Sequence, residues 1–130
     1  NMLNGPKLIH AMVSGERTRI NGNLANCQPE GLLVENLPAD CVVEVPIWVD
    51  EKGLQPQAMG RLPTQCASLC KSNTAVQELI VQAALTGDLD AARYALALDP
   101  VTATVCTLEQ IQQMFDEMYA AQRQWLPQFA

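Results

Sequence analysis

The chain has 130 residues, a net charge of −6, 48% hydrophobic residues and 17% charged residues. That composition builds a globular core of modest size and excludes a disordered chain, and the length suits a single domain over residues 1–130. Lys and Arg are scattered, which argues against nucleic acid and anionic membrane as partners, and no apolar run is long enough to span a bilayer.

The N-terminus shows no charged stretch leading into an apolar one, so no signal peptide is expected, and Met2 reads as the start with Asn1 as a remnant. Five cysteines is an odd number without a dense framework. Reduced thiols in a cytoplasmic protein are the simpler expectation.

The run Lys7-Leu-Ile-His-Ala-Met-Val13 suits a helix tail or a strand, and Ser14-Gly15-Glu16 ends it. Thr18 to Leu24 alternates weakly and predicts an edge strand with a break at Gly22. Residues 26–31 predict a loop. Leu32-Leu-Val34 and Cys41-Val-Val-Glu-Val45 predict strands on either side of a turn at Asn36-Leu-Pro-Ala-Asp40. In that turn Pro38 fixes its own φ and pushes Leu37 out of the helical region, while Asp40 can bond nearby amides. The β-branched residues after it suit a pleated surface. Pro46 removes a ladder donor and is expected to close the strand, with Ile47-Trp-Val49 extending the run. Asp50 to Gly53 is a turn with Gly53 available for positive φ, and Pro56 keeps the next extended stretch, Leu54 to Met59, at an edge.

From Pro63, which suits the first position of a helix, the period becomes helical. Cys66, Leu69 and Cys70 share a face. Ser72-Asn-Thr74 predicts a break, with Thr74 and Gln77 forming a capping box for a new helix. Val76, Leu79, Ile80, Ala83 and Ala84 form its apolar stripe, and Gly87 stops it. Asp88 caps a further helix through Leu98, which Asp99-Pro100 ends. Thr107 and Gln110 form a second capping box ahead of the stripe Leu108, Ile111, Phe115, Met118 and Tyr119, and Trp125-Leu-Pro127 is expected to pin the tail. The order is that of an α+β fold: a small antiparallel sheet in the N-terminal half, then three or four packed helices.

Gly31-Leu-Leu-Val-Glu-Asn-Leu-Pro-Ala-Asp-Cys-Val-Val-Glu-Val-Pro46 resembles the G-x-I-x-N-L-P-x-D-x-x-V-E-V-P segment of glycoside hydrolase family 4. The likeness continues through Val49-Asp50, Gly53-Leu-Gln-Pro56, Gly60-Arg-Leu-Pro63, Val76-Gln-Glu-Leu79, Gly87-Asp88, Asp99-Pro100 and Trp125-Leu-Pro127. It runs from roughly residue 8 to the end and is nearest the α-galactosidase branch. The family also includes α-galacturonidases and 6-phospho-α- and β-glucosidases. The resemblance implies a fold like the C-terminal domain of lactate and malate dehydrogenases. It implies NAD and Mn²⁺ as cofactors of the whole enzyme, and a redox-elimination route with hydride removal at C3 and a metal-stabilised enolate. The family's N-terminal Rossmann half, metal ligands and catalytic tyrosine would precede residue 1. Its N-x-x-N-x-G loop at the active-site edge corresponds to Asn23, Asn26 and Gly31, with roughly three extra residues after Asn26. The resemblance thus makes Asn23 and Asn26 candidates to hydrogen-bond sugar hydroxyls, beside the plainer reading of turn asparagines.

Other candidates are weaker. Cys66 and Cys70 stand one helical turn apart, but structural zinc takes four ligands and only His10 and scattered carboxylates are available. His10, the only histidine, has no partner at motif spacing and reads as a packed or surface residue. Asp40 and Glu44 form the best carboxylate pair by sequence, yet Glu44 reads first as a buried structural acid bonded to backbone or Arg. No G-x-G-x-x-G follows a strand, and no phosphate loop or metalloprotease motif is present.

The expectation is therefore the C-terminal segment of an NAD- and Mn-dependent, α-galactosidase-like glycosidase. It would supply the substrate-side wall and oligomer contacts, hold no catalytic, cofactor or metal residue of its own, and be inactive alone. Its partners would be a second copy, the Rossmann half and a sugar. The alternative is a free-standing α+β module from a truncated gene that self-associates or binds a partner. A small metal-binding regulator built on Cys66 and Cys70 is a third class.

Overall fold

A computed structural model describes residues 4–129; Asn1 and Met2, and with them the assignment of the start, lie outside the described residues. The chain forms two compact units, one ending at Ala67 and the other beginning at Ser68.

The first unit opens with helix α1 (Asn4–Ser14), so the ambiguous run Lys7 to Val13 is helical. Strands β1 (Thr18–Ala25), β4 (Val42–Asp50) and β5 (Gly53–Pro56) form an antiparallel sheet in the order β1-β4-β5, and β2 (Cys27–Gln28) and β3 (Gly31–Leu32) form a separate small hairpin. Thr18 stands opposite Val49 and Ala25 opposite Val42. Side chains alternate between faces along a strand. One face therefore collects Ile20, Val43, Val45, Ile47 and Val49, all buried, and α1 lies against β1 and β4 with Ala11 fully buried. Burying each of the larger side chains stabilises the unit by about 1.5–3 kcal/mol. The other face carries Arg19, Asn21, Asn23, Val42 and Glu44, all exposed.

Several local expectations change. Gly22 does not break β1; a Cβ there would stand 2.9 Å from Ile47 Cδ1, so the glycine makes room for Ile47. Pro46 does not close β4, which runs through it to Asp50. In a strand, the N–H and C=O of one residue point to the same side. The Pro46 carbonyl accepts from Gln57 N–H at 2.9 Å, so its nitrogen faces the β5 side, just past the strand's last residue, Pro56. The missing donor costs no ladder bond to β1. Glu44 is not buried: it lies on the open face, opposite Asn23, because its neighbours Val43 and Val45 take the core side. Residues 26–31 are a hairpin rather than plain loop, with Gly31 at φ 128°.

Helix α2 (Thr64–Thr86) is one uninterrupted helix across the predicted break. Ser72 Oγ and Asn73 Nδ2 both donate to the Leu69 carbonyl at 2.9 Å, and Thr74 Oγ1 donates to Lys71 O at 3.1 Å. Bonded backward onto the preceding turn, these side chains sit inside the helix and do not cap a new one. Gly87, at φ 73°, ends α2 by donating to Ala83 O, the left-handed exit that glycine makes without strain.

The remaining helices follow their signals. Asp88 caps α3 (Leu89–Leu98) by accepting from Asp90 N and Ala91 N. Thr107 and Gln110 complete a reciprocal capping box on α5 (Leu108–Gln122). Between them Asp99-Pro100 does more than end α3. Asp99 caps a short helix, α4 (Pro100–Val105), that the sequence did not announce. Helices α3 and α5 pack through Ala91, Ala95 and Ile111, with Arg93 over the Phe115 ring at 4.6 Å and 2.6 Å from Asp116. Trp125 does not pin the tail, being 74% exposed; the Tyr119 hydroxyl does, donating to Phe129 O at 2.7 Å.

Candidate functional site

Two asparagines organise the motif loop. Asn26 is fully buried. Its Nδ2 donates to the carbonyls of Val34 at 3.0 Å, Leu37 at 3.3 Å and Pro38 at 2.9 Å, and its Oδ1 accepts from Val34 N–H at 2.7 Å. Its backbone adds bonds to Cys41 O and from Leu33 N. One side chain thus satisfies the inward-facing groups of a turn that has no regular ladder of its own. Asn36 repeats the device outward. Its amide donates to Leu62 O and accepts from Leu62 N, each at 2.9 Å. Glu35 N–H to Gly60 O and Met59 N–H to Leu33 O complete the tie. The segments 31–46 and 60–63, recognised separately in the sequence, are therefore one knot.

Beside the knot lies the open face of the sheet. Asn23 is exposed there, opposite Glu44, with Asn21 two residues back. Trp48 is on the same face, with the Arg17 guanidinium 4.7 Å from its ring centre. Asp50 closes the far end: Gln55 Nε2 and then Lys52 N–H, each at 2.8 Å, hold its carboxyl below its ordinary range. A planar aromatic with amides, a carboxylate and a guanidinium around it is chemistry that suits a polyhydroxylated surface.

The structure separates the sequence candidates. Asn23 presents a solvent-facing amide, whereas the Asn26 amide is fully engaged inside the knot. Asp40 and Glu44 are both exposed. His10 is exposed on α1, 3.3 Å from Glu16. Cys66 is exposed and Cys70 half-buried on α2, and Cys27, Cys66, Cys70 and Cys106 are free thiols. Among the described residues no three His, Cys, Asp or Glu side chains converge, so these residues do not fit a manganese ion, and no glycine-rich strand-to-helix turn fits a dinucleotide. Sequence reasoning missed Asn36 as a clamp and Trp48 with Arg17 as a surface pair. An Asn immediately before Leu-Pro was the available signal for the first.

The second unit holds an apolar groove of about 570 Å³ lined by Val76, Ile80, Leu89, Phe115, Met118 and Phe129 among others. Among the described residues no helix is long and apolar enough to cross a membrane.

A three-stranded antiparallel sheet with a leading helix, followed along the chain by a run of helices, makes the fold α+β. Comparison with known proteins gives the family. The family 4 glycosyl hydrolase C-terminal domain matches residues 4–102, and the chain belongs to that family. It is 40% identical over 124 residues to an α-galactosidase of Rhizobium meliloti (strain 1021), covering 95% of this chain and 24% of that protein. Among solved structures it is similar to a 6-phospho-α-glucosidase from gut microorganisms in complex with NAD and glucose-6-phosphate. That match has a TM-score of 0.77 and 25% identity over 93% of this chain and 26% of the other. A 6-phospho-α-glucosidase from the same source, in complex with NAD and Mn²⁺, shares the fold with a TM-score of 0.78 at 18% identity, over 92% of this chain and 26% of that one. The chain spans about a quarter of the length of these relatives.

Proposed function

We propose that this chain is the C-terminal, substrate-side region of an NAD- and Mn²⁺-dependent glycosidase acting on α-galactosides in the cytoplasm. The observation that carries the reading is the 40% identity to an α-galactosidase along 95% of the chain. Cofactor and metal belong, in this reading, to the part of the enzyme outside the matched region, since the residues here fit neither. This chain's task is then to wall and orient the sugar. Asn23 offers its amide to a sugar hydroxyl from the open face. Asn26 serves the same edge through the shape of the loop it holds. Self-association is part of the reading, because α2 leaves Leu69, Ile80, Val81 and Leu85 exposed; surface of that kind finds partners.

The test is a transplant. The chain replaces the corresponding region of the Rhizobium meliloti α-galactosidase, and hydrolysis of nitrophenyl α-galactoside is measured with NAD, Mn²⁺ and reductant. The chimera is expected to turn over and the chain alone is not. A folded chimera that binds NAD but leaves α-galactosides intact overturns the substrate assignment. Turnover by the isolated chain overturns the division of labour. In the chimera, Asn23→Ala is expected to raise KM.

A further inference from the structure

Strand β1 is an edge strand, and its outer side is unusually bare. Registered against β4, its residues alternate between bonding inward and pointing outward. The Pro46 carbonyl faces β5, so Asn21, opposite Pro46, turns its own N–H and C=O away from β4. Arg19 and Asn23 follow the same parity. Among the described residues no backbone or side-chain group bonds the outward amides and carbonyls of these three. The next outward carbonyl, that of Ala25, is already taken by Gln28 Nε2 at 2.6 Å. β1 has no proline, no bulge and no lysine, the devices that blunt an edge.

We propose that β1 pairs antiparallel with β1 of a second copy across a twofold axis at Asn21, joining the two sheets. This gives self-association a surface on the sheet edge, in addition to the exposed α2 side chains, and rests on the self-association reading. The register follows from three constraints. To keep core face with core face, opposed residue numbers must sum to an even value. Centring on Asn21 sets Arg19 opposite Asn23 of the second copy and Asn21 opposite itself, so the bare groups of each copy meet those of the other. Each such pair exchanges two bonds, about six in all. Centring on Gly22 would bring in the Ala25 carbonyl, which Gln28 occupies. Charge supports the same choice. Glu44 stands opposite Asn23 on the open face, and neither it nor Arg19 has an ion-pair partner among the described residues. In the joined sheet, Arg19 of one copy, Asn23 of the other and its Glu44 form one row. Arg19 and Glu44 are then two strand spacings apart, about 10 Å, within reach of two long side chains meeting over a small amide. The twofold makes two such rows and adds Arg19 to the Asn23 face.

The test uses the 130-residue chain. Light scattering is expected to show a dimer, and the amides of Arg19, Asn21 and Asn23 are expected to exchange hydrogen slowly in concentrated solution and fast in dilute solution. Asn21→Pro removes an outward donor from each copy without touching the β1–β4 ladder, and is expected to abolish the dimer. Arg19→Glu is expected to weaken it about tenfold and Arg19→Glu with Glu44→Arg to restore it, a pair that remains informative if the proline variant misfolds. A dimer whose β1 amides exchange equally fast at both concentrations overturns the edge pairing and leaves self-association standing. A monomer at all concentrations overturns both.

Discussion

The two units reach their folds by different means. The first buries a cluster of larger apolar side chains, Ile20, Leu33, Val34, Leu37, Val43, Val45, Ile47 and Val49, while Ile9, Val13 and Val42 stay exposed. Among the described residues of the second, the buried apolar ones are Ala83, Ala91, Ala95 and a single larger one, Ile111, while Leu69, Leu85, Val101, Val105 and Leu108 are among those largely exposed. Its helices are instead well punctuated, with caps at Asp88, Asp99 and Thr107 and a glycine exit at Gly87. Core burial is worth a few kcal/mol per large side chain and a cap about 1 kcal/mol. Local signals can thus shape a unit that leaves much of its apolar surface exposed.

The sharpest way to break the comparison is Asn26→Ala. It strands the Val34 N–H and the Leu37 and Pro38 carbonyls, leaving the Val34 carbonyl only its Leu37 N–H donor, and each unsatisfied buried group costs about 1–3 kcal/mol. A loss of about 3 kcal/mol or more is expected in urea unfolding, centred on the first unit by hydrogen exchange. A variant as stable as the parent would show that the loop holds itself. Gly87→Ala comes next. It puts a side chain at φ 73° and drives its Cβ into the Gln128 carbonyl. A loss of about 2 kcal/mol is expected, from left-handed strain plus displacement of the tail, with the amides of residues 123–129 exchanging faster and the sheet unmoved.

Acid supplies a smaller test. The Asp99 carboxyl is held below its ordinary 3.8, first by the Thr102 hydroxyl and then by the Thr102 and Val101 amides. A lowered carboxyl contributes stability above its unfolded value and loses it as pH falls through its folded value. Protection of α4 is therefore expected to be flat above about pH 4 and to fall below it, and in Asp99→Asn to be insensitive over that range. The smallest effect is expected from Leu85→Ser on α2, where the side chain is 82% exposed. Stability of the isolated chain should change by less than about 0.5 kcal/mol. The same substitution in the transplanted enzyme should cost more, if that surface is covered there.

Much of this was legible in advance where the deciding contacts are local. The Thr107–Gln110 box, the Asp88 cap, the Gly87 exit and the turn at Gly53 each depend on residues within about four positions. The β-branched run after Asp40 marked its strand for the same reason. The misreadings lie where distance or direction decides. Pro46 looks like a terminator until one knows on which side β5 stops. Ser72, Asn73 and Thr74 favour caps in isolation, and only their backward bonds show them accommodated in α2. Asn23 and Asn26 were candidates through family spacing alone, and their different environments, one exposed and one buried, were not readable. The Asn26 bonds reach 8 to 12 residues ahead, and those of Asn36 reach 26.

The β2–β3 hairpin has a consequence for how this fold tolerates change. Its two ends are held together by the bond from Leu33 N–H to Asn26 O, and Asn26 N–H anchors that point to Cys41 O. Residues 27–32 leave and return to the same point. The entropy of closing such an excursion grows only logarithmically, at about 0.6 kcal/mol for each doubling of length. A clamp that fixes both ends therefore makes the length between them nearly neutral. Insertions and deletions can accumulate there, and a reporter peptide or an affinity tag grafted between Gln28 and Gly31 should leave the sheet and the knot behind it intact.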